Sequence, residues 1–193
     1  MTTSSLANHR KIKVWDIFVR IFHWSMVMGF FANMYLTESG AWLHRWIGYL
    51  ILLLILGRIL WGFLGTSYAR FSSFFPTPSN TLTYIKQLLR KREPRYIGHN
   101  PAGAWMMVIL ILTMTSCIVT GWMQGLDVFW GISWIQTVHE FCADAILVLA
   151  ALHVAGAIFT SFRHRENLIW SMITGYKHAS DPETDSDHEN SPG

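Results

Sequence analysis

The sequence predicts an all-α integral membrane protein built as a four-helix bundle. Of its 193 residues, 51% are apolar and only 14% are charged, a balance too apolar for an ordinary soluble domain. Four apolar runs are long enough to cross a hydrocarbon core, which requires about 20 helical residues. The runs are continuous rather than alternating, which favours spanning helices over the strands of a barrel. They cover residues 21–36 with its flanks, 42–64, 102–123 and 139–162.

The basic residues are concentrated in three segments, and their positions predict the orientation of the bundle. The segments lie at 10–20, 70–95 and 163–177, and outside them only Arg45 and Arg58 are basic. Lys and Arg are enriched in cytoplasmic loops. We therefore expect an N-in, C-in topology with the 65–101 loop in the cytoplasm. The short links near 37–41 and 124–138 are then expected to face outward.

The chain divides into three parts by composition. Residues 1–14 form a polar N-terminal segment, 15–177 hold the membrane domain, and 178–193 form an acidic Ser/Pro-rich tail that is expected to be disordered. No cleavage pattern of small residues follows the first apolar run, so we expect that run to be retained rather than removed as a secretory signal.

An amphipathic helix is predicted between spans two and three, where it would lie on the cytoplasmic membrane surface. Ser79 or Asn80 can cap its start, and its basic residues would lie among anionic headgroups. Its apolar face would consist of Leu82, Ile85, Leu88 and Leu89. On the outward side, Trp130 and Trp134 are placed like interfacial anchors.

Nine histidines occur, and four of them lie within the predicted spans: His23, His44, His139 and His153. Ionisable residues inside a membrane are costly, which makes these four candidates for function. His99 lies instead at the cytoplasmic entry of span three, where Asn100 can cap the helix and Pro101 can occupy its first turn. We expect a capping or interfacial role for His99.

The four intramembrane histidines are predicted to form two pairs at different depths. His139 and His153 are 14 positions apart (153 minus 139). At about 1.5 Å and about 100° per residue, they lie roughly 21 Å apart on nearly the same helix face. Because adjacent spans run in opposite directions, His23 is expected at the depth of His153 in the inner half. His44 is expected at the depth of His139 near the outer edge.

Two histidine pairs stacked in a helical bundle suit two haems, each with two axial imidazoles. Zinc or copper would require three or four clustered ligands, and neither depth offers the extra Cys, Asp or Glu. Cys117 and Cys142 lie in different spans without a CxxC motif and are interpreted as buried small residues. The alternative is that each histidine only forms a hydrogen bond to a neighbouring helix. The presence of four histidines at two matched depths makes this interpretation the weaker one.

Arg58 lies 14 positions beyond His44 (58 minus 44), which places it level with the inner pair. Its side chain could bind a haem propionate or could extend to the lipid headgroups, and the sequence leaves both interpretations open. The intramembrane glycines likewise could admit a flat macrocycle or allow close helix packing, which is the commoner reason for them. They are Gly29, Gly48, Gly57, Gly121 and Gly156.

Several sequence motifs resemble those of the bacterial cytochrome b561 and nickel-iron hydrogenase b-type cytochrome superfamily. The resemblance covers about residues 10 to 177. It rests on "VWDIFVRIFHW" (14–24), "LHRWIGYL" (43–50), "GRILWGFLG" (57–65), "GHNPAGAWM" (98–106), "TGW" (120–122), "VHE" (138–140) and "LHVAG" (152–156).

This resemblance implies a four-helix cytochrome b domain with two non-covalent b-type haems in the bacterial cytoplasmic (inner) membrane. His23 and His153 would ligate the inner haem iron, and His44 and His139 the outer one. Such a protein passes electrons between a quinone pool and a redox partner in a respiratory chain. Asp16, Arg20 and His99 on the inner side and Glu140 on the outer side are candidates for quinone or proton contacts.

The partner and the exact activity stay open at the level of sequence. A periplasmic c-type cytochrome and a hydrogenase-like oxidoreductase are equal candidates for the partner, and a homodimer is compatible with the sequence, whereas nucleic acid is not expected to bind. The protein is expected to be an electron carrier, and the sequence does not decide whether it is also an enzyme. The rival functions are a self-contained quinone-linked oxidoreductase for a small species such as superoxide, and a haem-free membrane anchor or transporter.

Overall fold

The computed structural model describes residues 11–90, 92 and 94–178. The polar segment at 1–10 and the acidic tail at 179–193 lie outside the described residues. Six α-helices occur in the described part: α1 (Ile17–Tyr35), α2 (Trp42–Leu64), α3 (Pro78–Leu89), α4 (Pro101–Met123), α5 (Ser133–Arg163) and α6 (Leu168–Thr174). Two strands, β1 (Lys11–Lys13) and β2 (Tyr176–His178), pair with each other.

Four of these helices, α1, α2, α4 and α5, are long and apolar enough to cross a membrane. This confirms the four predicted spans. The predicted bounds of spans two and three agree with the structure to within one residue, whereas α5 begins at Ser133, six residues before the predicted run (139 minus 133). Residues 133–138 (SWIQTV) mix polar and apolar side chains and form no continuous apolar run, so hydropathy alone did not include them.

The spanning helices pack around an apolar core at mid-depth. Helix α4 packs along α5, α1 packs along α2, and α2 packs against α4. The buried side chains of this core come from all four helices: Phe30, Ile51, Ile55, Met114, Ile118 and Ile146. Large apolar side chains on the outer surface are exposed, among them Leu64 and Phe162. A bundle whose outer surface is this apolar is suited to a lipid environment.

Asp16 connects the start of α1 to the end of α2. Its carboxylate accepts hydrogen bonds from the Val19 N–H (2.9 Å), from Trp61 Nε1 (2.9 Å) and from the Thr66 hydroxyl (2.8 Å). The first bond caps α1, because the side chain of an N-cap residue satisfies an otherwise unpaired N–H group of the first turn. The other two bonds hold the C-terminal end of α2 beside the beginning of α1.

Helix α3 is present where an amphipathic helix was predicted, but its start differs. Thr77 is the N-cap and accepts from the Asn80 N–H at 3.2 Å, so Ser79 and Asn80 lie inside the first turn rather than at the cap. Pro78 follows Thr77 in the first helical position, for which its fixed φ suits it. Leu82 and Ile85 are exposed, and the side chain of Leu89 lies outside the described part. The Trp105 indole donates to the Thr81 hydroxyl at 3.0 Å and joins α3 to α4.

A short ribbon, which the all-α prediction lacked, closes the end of the bundle where α1 begins. Strand β1 pairs antiparallel with β2, with Ile12 opposite Lys177. The N–H groups of Val14 and Trp15 both donate to the Gly175 carbonyl. Gly175 has a φ of 89°, and a Cβ there would lie 2.7 Å from the Trp15 carbonyl oxygen, so this close approach requires glycine. Strands of three residues carry too little pattern to be predicted from sequence.

Candidate functional site

The four intramembrane histidines lie in two separate pairs. The ring of His23 on α1 lies 6.3 Å from the ring of His153 on α5, measured between ring centroids. The ring of His44 on α2 lies 6.3 Å from that of His139, also on α5. Helix α5 therefore contributes one imidazole to each pair. All four histidines are partly buried.

In the His44–His139 pair, the second nitrogen of His139 is held by α4. His139 Nδ1 lies 2.7 Å from the Cys117 carbonyl oxygen. A carbonyl can only accept, so Nδ1 must carry the proton, and the neutral ring then has a free lone pair on Nε2. The Cys117 thiol and the Thr120 hydroxyl also lie near this nitrogen, at 3.7 and 3.3 Å. Cys142 is buried as predicted, but Cys117 is only partly buried and contacts the site.

His44 is held in the same way by the link that follows α1. The Thr37 hydroxyl lies 3.1 Å from His44 Nδ1 and 3.0 Å from the Asn33 carbonyl oxygen. Its single proton is donated to that carbonyl, so the Thr37 oxygen accepts from the Nδ1–H of His44. The Asn33 side-chain amide also donates to the His44 carbonyl at 3.0 Å. His44 therefore also presents a free lone pair on Nε2.

The His23–His153 pair has a different environment. His23 Nδ1 is buried and has no hydrogen-bond partner among the described residues. The Trp24 ring lies at a right angle to the His23 ring, with 5.2 Å between centroids. This nitrogen is a buried polar atom left unsatisfied by the protein, which calls for an explanation.

The spacing of both pairs fits two imidazoles bound to one metal ion. An imidazole nitrogen binds a metal ion such as zinc at about 2 Å and lies about 1 Å from its ring centre. Two rings on opposite sides of one ion therefore have centres about 6 Å apart. The described residues contain no group of three or more His, Cys, Asp or Glu that could hold a bare ion. Two axial imidazoles without further protein ligands are the donor set of a haem iron, whose macrocycle supplies the remaining ligands.

Gly121 lies against one of these rings. A Cβ at this position would come within 2.8 Å of His139 Cε1, a distance that would force the ring to move. At Gly48 and Gly156, by contrast, an added Cβ would meet nothing within 4 Å. Of the intramembrane glycines, Gly121 is thus the one that makes room for a histidine ring.

Arg58 is buried inside the protein, close enough to His99 for its charge to act on that ring. It is 2% exposed, its guanidinium stacks over Phe71 at 5.1 Å, and Nη2 lies 3.8 Å from the Met107 sulfur. Its Nη1 atom has no partner within the part of the chain that the structure describes. The burial rules out extension of this side chain to the lipid headgroups. A buried guanidinium with an unsatisfied nitrogen suits an anionic ligand such as a haem propionate.

His99 packs inside the cytoplasmic end predicted for the bundle, which corrects its predicted capping or interfacial role. Asn100 is the N-cap of α4, accepting from the Gly103 N–H at 2.7 Å, and Pro101 occupies the first turn, as predicted. The His99 ring lies between Trp15 (4.8 Å) and Phe74 (4.5 Å), and its Nδ1 is buried without a described partner. Burial, followed by the positive charges of Arg58 and Lys177, lowers the pKa of His99 to about 3. His99 is therefore neutral at physiological pH.

The family is decided by a comparison with known proteins. Residues 14–175 match the model of the family described as prokaryotic cytochrome b561. The chain belongs to the prokaryotic cytochrome b561 family. It is thus a membrane b-type cytochrome, a haem protein of electron transport, which confirms the resemblance seen in the sequence.

Curated relatives match this cytochrome over most of their own length. It is 23% identical to a probable Ni/Fe-hydrogenase B-type cytochrome subunit of Rhodobacter capsulatus, over 90% of the chain and 84% of the relative. It is 26% identical to the protein of the same name from Cupriavidus necator, over 90% of the chain and 91% of the relative. No solved structure is significantly similar to the chain.

The structure also places the three remaining candidates for quinone or proton contact in this cytochrome. Arg20 donates to the Ile173 carbonyl oxygen, and thereby joins α1 to α6. Glu140 is exposed and accepts from the Gln136 side-chain amide at 2.8 Å. Burial raises the pKa of Asp16, but hydrogen bonds from Val19, Trp61, Thr66 and Phe18 outweigh this effect and hold the pKa below its ordinary value. Asp16 is accordingly ionised at neutral pH.

Proposed function

We propose that this cytochrome holds two non-covalent b-type haems and transfers electrons across the bacterial inner membrane between a quinone pool and a redox partner. The proposal rests on one observation. The histidines form two separate pairs, and in each pair the ring centres lie 6.3 Å apart. Two sites of this kind, contributed by different helices, are more than interhelical hydrogen bonding requires. Haem iron supplies the one-electron chemistry, and the protein supplies ligands, spacing and electrostatics.

Each side chain has a specific task under this proposal. His23 and His153 ligate the inner haem, and His44 and His139 ligate the outer haem. The two histidines of α5 are separated by roughly 21 Å along the helix at about 1.5 Å per residue, so the two sites together cover most of a hydrocarbon core of about 30 Å. Arg58, whose Nη1 has no described partner, binds a propionate at the inner site.

The proposed orientation is N-in and C-in, with α3 on the cytoplasmic membrane surface. The basic residues at 10–20, 70–95 and 163–177 support it. Quinone would meet the protein near one of the two sites, with Asp16, Arg20 and His99 on the inner side and Glu140 on the outer side as the candidate contacts.

For the redox partner, we propose a Ni/Fe hydrogenase. Two relatives that this chain matches over most of their length, 84% and 91%, are named as probable B-type cytochrome subunits of that enzyme. A periplasmic c-type cytochrome is the alternative partner. The comparisons name no relative that acts on superoxide, so the hydrogenase is the partner to test first.

The test uses the purified protein in detergent. The expected result is a b-type reduced-minus-oxidised spectrum with two haems per chain, oxidation of the reduced protein by a soluble quinone, and reduction by hydrogen when a Ni/Fe hydrogenase is added. Reduced c-type cytochrome and superoxide are the comparison reagents. A protein without b-type absorption would be an anchor or transporter, and one haem per chain would contradict the two-site proposal. Direct reaction with superoxide but not with hydrogenase would favour the self-contained oxidoreductase.

A further inference from the structure

The two histidine pairs differ in what their second ring nitrogens contact. At the outer pair, Nδ1 of His139 donates to the Cys117 carbonyl at 2.7 Å, and Nδ1 of His44 donates to the Thr37 hydroxyl at 3.1 Å. At the inner pair, Nδ1 of His23 is buried without a partner among the described residues. If Nε2 of each ring binds the iron, as the proposed function assumes, this difference would tune the sites rather than create them.

We propose that Thr37 is a positioning residue that fixes the His44 ring and lowers the redox potential of the outer site. The proposal rests on the proposed function, since it assumes that His44 is a haem ligand. Thr37 lies in the link between α1 and α2, where nothing in the sequence marks it as part of a site. Because its own proton is donated to the Asn33 carbonyl at 3.0 Å, its hydroxyl oxygen is the acceptor in the contact with His44 Nδ1.

The direction of the effect follows from charge. A ligating histidine that donates its other N–H becomes more basic and is held in one tautomer and one orientation. A more basic ligand stabilises the oxidised iron, which carries the greater positive charge, and so lowers the reduction potential. At the inner pair, His23 lacks such a bond, and the buried cation Arg58 favours the reduced form.

Both effects therefore give the outer site the lower potential. With haems bound at both sites, this difference in potential would favour the transfer of one electron from the outer site to the inner site, with no bond made or broken. Such a transfer would need a one-electron donor at the outer site and an acceptor, such as a quinone, at the inner site.

A redox titration of the purified protein tests the role of Thr37. Thr37→Val has nearly the same shape but no hydroxyl, whereas Thr37→Ser keeps the hydroxyl and is the matched control. At a fixed ambient potential, we expect the reduced-to-oxidised ratio of one haem to rise about three- to tenfold in Thr37→Val, as expected for one hydrogen bond. The other haem, and both haems of Thr37→Ser, should titrate as in the unmodified protein.

Electron paramagnetic resonance gives a second readout, because the g values of a low-spin haem depend on the angle between its two imidazole planes. That angle is 63° between the His44 and His139 rings. Thr37→Val should change the g values of one haem, and Thr37→Ser should change neither. Unchanged potentials and unchanged g values in Thr37→Val would overturn the proposal.

A third measurement keeps the test decisive if Thr37→Val does not assemble. Thr37→Ala also removes the hydroxyl but leaves a smaller side chain, so it should raise the reduced-to-oxidised ratio of the same haem by a similar factor. Unchanged potentials in Thr37→Ala would refute the proposal. Fewer than two haems in the unmodified protein would instead refute the proposed function, so the two failures are distinguishable.

Discussion

The rings of His44 and His139 lie 6.3 Å apart, and the Nδ1–H group of each ring donates a hydrogen bond to a group outside the pair. The bonds come from two different parts of the chain, the link after α1 and the middle of α4. This arrangement leaves the two Nε2 lone pairs free, as axial ligation of a haem iron requires. The site is thus shaped by its surroundings as well as by its ligands.

Gly121 should be needed for the outer site. In Gly121→Ala, the new Cβ would lie 2.8 Å from His139 Cε1, so the ring must move. We expect the haem content of the purified protein to fall from two haems per chain toward one. Gly57→Ala is the matched control, because a Cβ there would make only an ordinary 3.4 Å contact with Phe18 Cζ, and it should keep both haems. Alanine is favoured over glycine in a helix by about 1 kcal/mol, so haem loss in Gly121→Ala would reflect the contact and not helix instability.

Removing the charge of Arg58 should lower the potential of the inner haem. A buried cation stabilises the reduced form of the haem. Without the charge, this stabilisation should fall by on the order of 1 kcal/mol, which lowers the reduction potential by several tens of millivolts for a one-electron couple. Potentiometric titration of Arg58→Gln measures the change. Arg45→Gln is the control, since Arg45 lies on the same helix but is exposed. Equal shifts in both variants would show that Arg58 does not act at the inner site.

Asp16 should stabilise the fold most at neutral pH. Its Ala variant loses the cap of α1 and the bonds from Trp61 and Thr66, which together should destabilise the protein by about 2–4 kcal/mol. Because the folded pKa of Asp16 is depressed, its contribution is fully present above the unfolded pKa of about 4 and is lost as the pH falls through the folded pKa. Thermal unfolding in detergent at pH 7 and pH 3 measures this.

The control for this pH dependence is Asp16→Asn, which cannot ionise. The difference in melting temperature between the unmodified protein and Asp16→Asn should be large at pH 7 and small at pH 3. A difference that is the same at both pH values would contradict an ionised Asp16 in the native state.

Reporter fusions should reveal the proposed orientation. Alkaline phosphatase is active only outside the cytoplasm, so its insertion at Gly40, between α1 and α2, should give active enzyme. Gly40 is exposed in the link between α1 and α2, so an insertion there interrupts neither helix. Green fluorescent protein fused after Gly193 should fluoresce, since that position is expected in the cytoplasm. The opposite pattern would reverse the assignment of inner and outer sites.

The sequence predicted the spanning helices well because twenty apolar residues in a row have few alternatives in a membrane. It also predicted which histidines lie near each other. Helix geometry and the antiparallel direction of neighbouring helices give each histidine a depth that only one other histidine shares. For α2, the predicted bounds are those of the structure. The beginning of α5 was missed, because residues 133–138 mix polar and apolar side chains and form no continuous apolar run.

Features that depend on close contacts between distant segments were not predicted. The ribbon of β1 and β2 joins the two ends of the domain, and the Gly175 carbonyl beside it accepts two further backbone hydrogen bonds. No periodic pattern in the sequence predicts this ribbon. His99 was expected at a helix cap or the interface, but Trp15 and Phe74, distant in sequence, enclose its ring. Thr37 and the Cys117 carbonyl were missed as site groups, since a single hydroxyl or carbonyl has no sequence signal.

The most direct test of the two-site account is the haem content of four single variants, His23→Ala, His44→Ala, His139→Ala and His153→Ala. The potential of the haem that each variant retains identifies the site that was lost. The account predicts that His44→Ala and His139→Ala lose the same haem, and that His23→Ala and His153→Ala lose the other. Loss of one shared haem in His139→Ala and His153→Ala, the two histidines of α5, would contradict it.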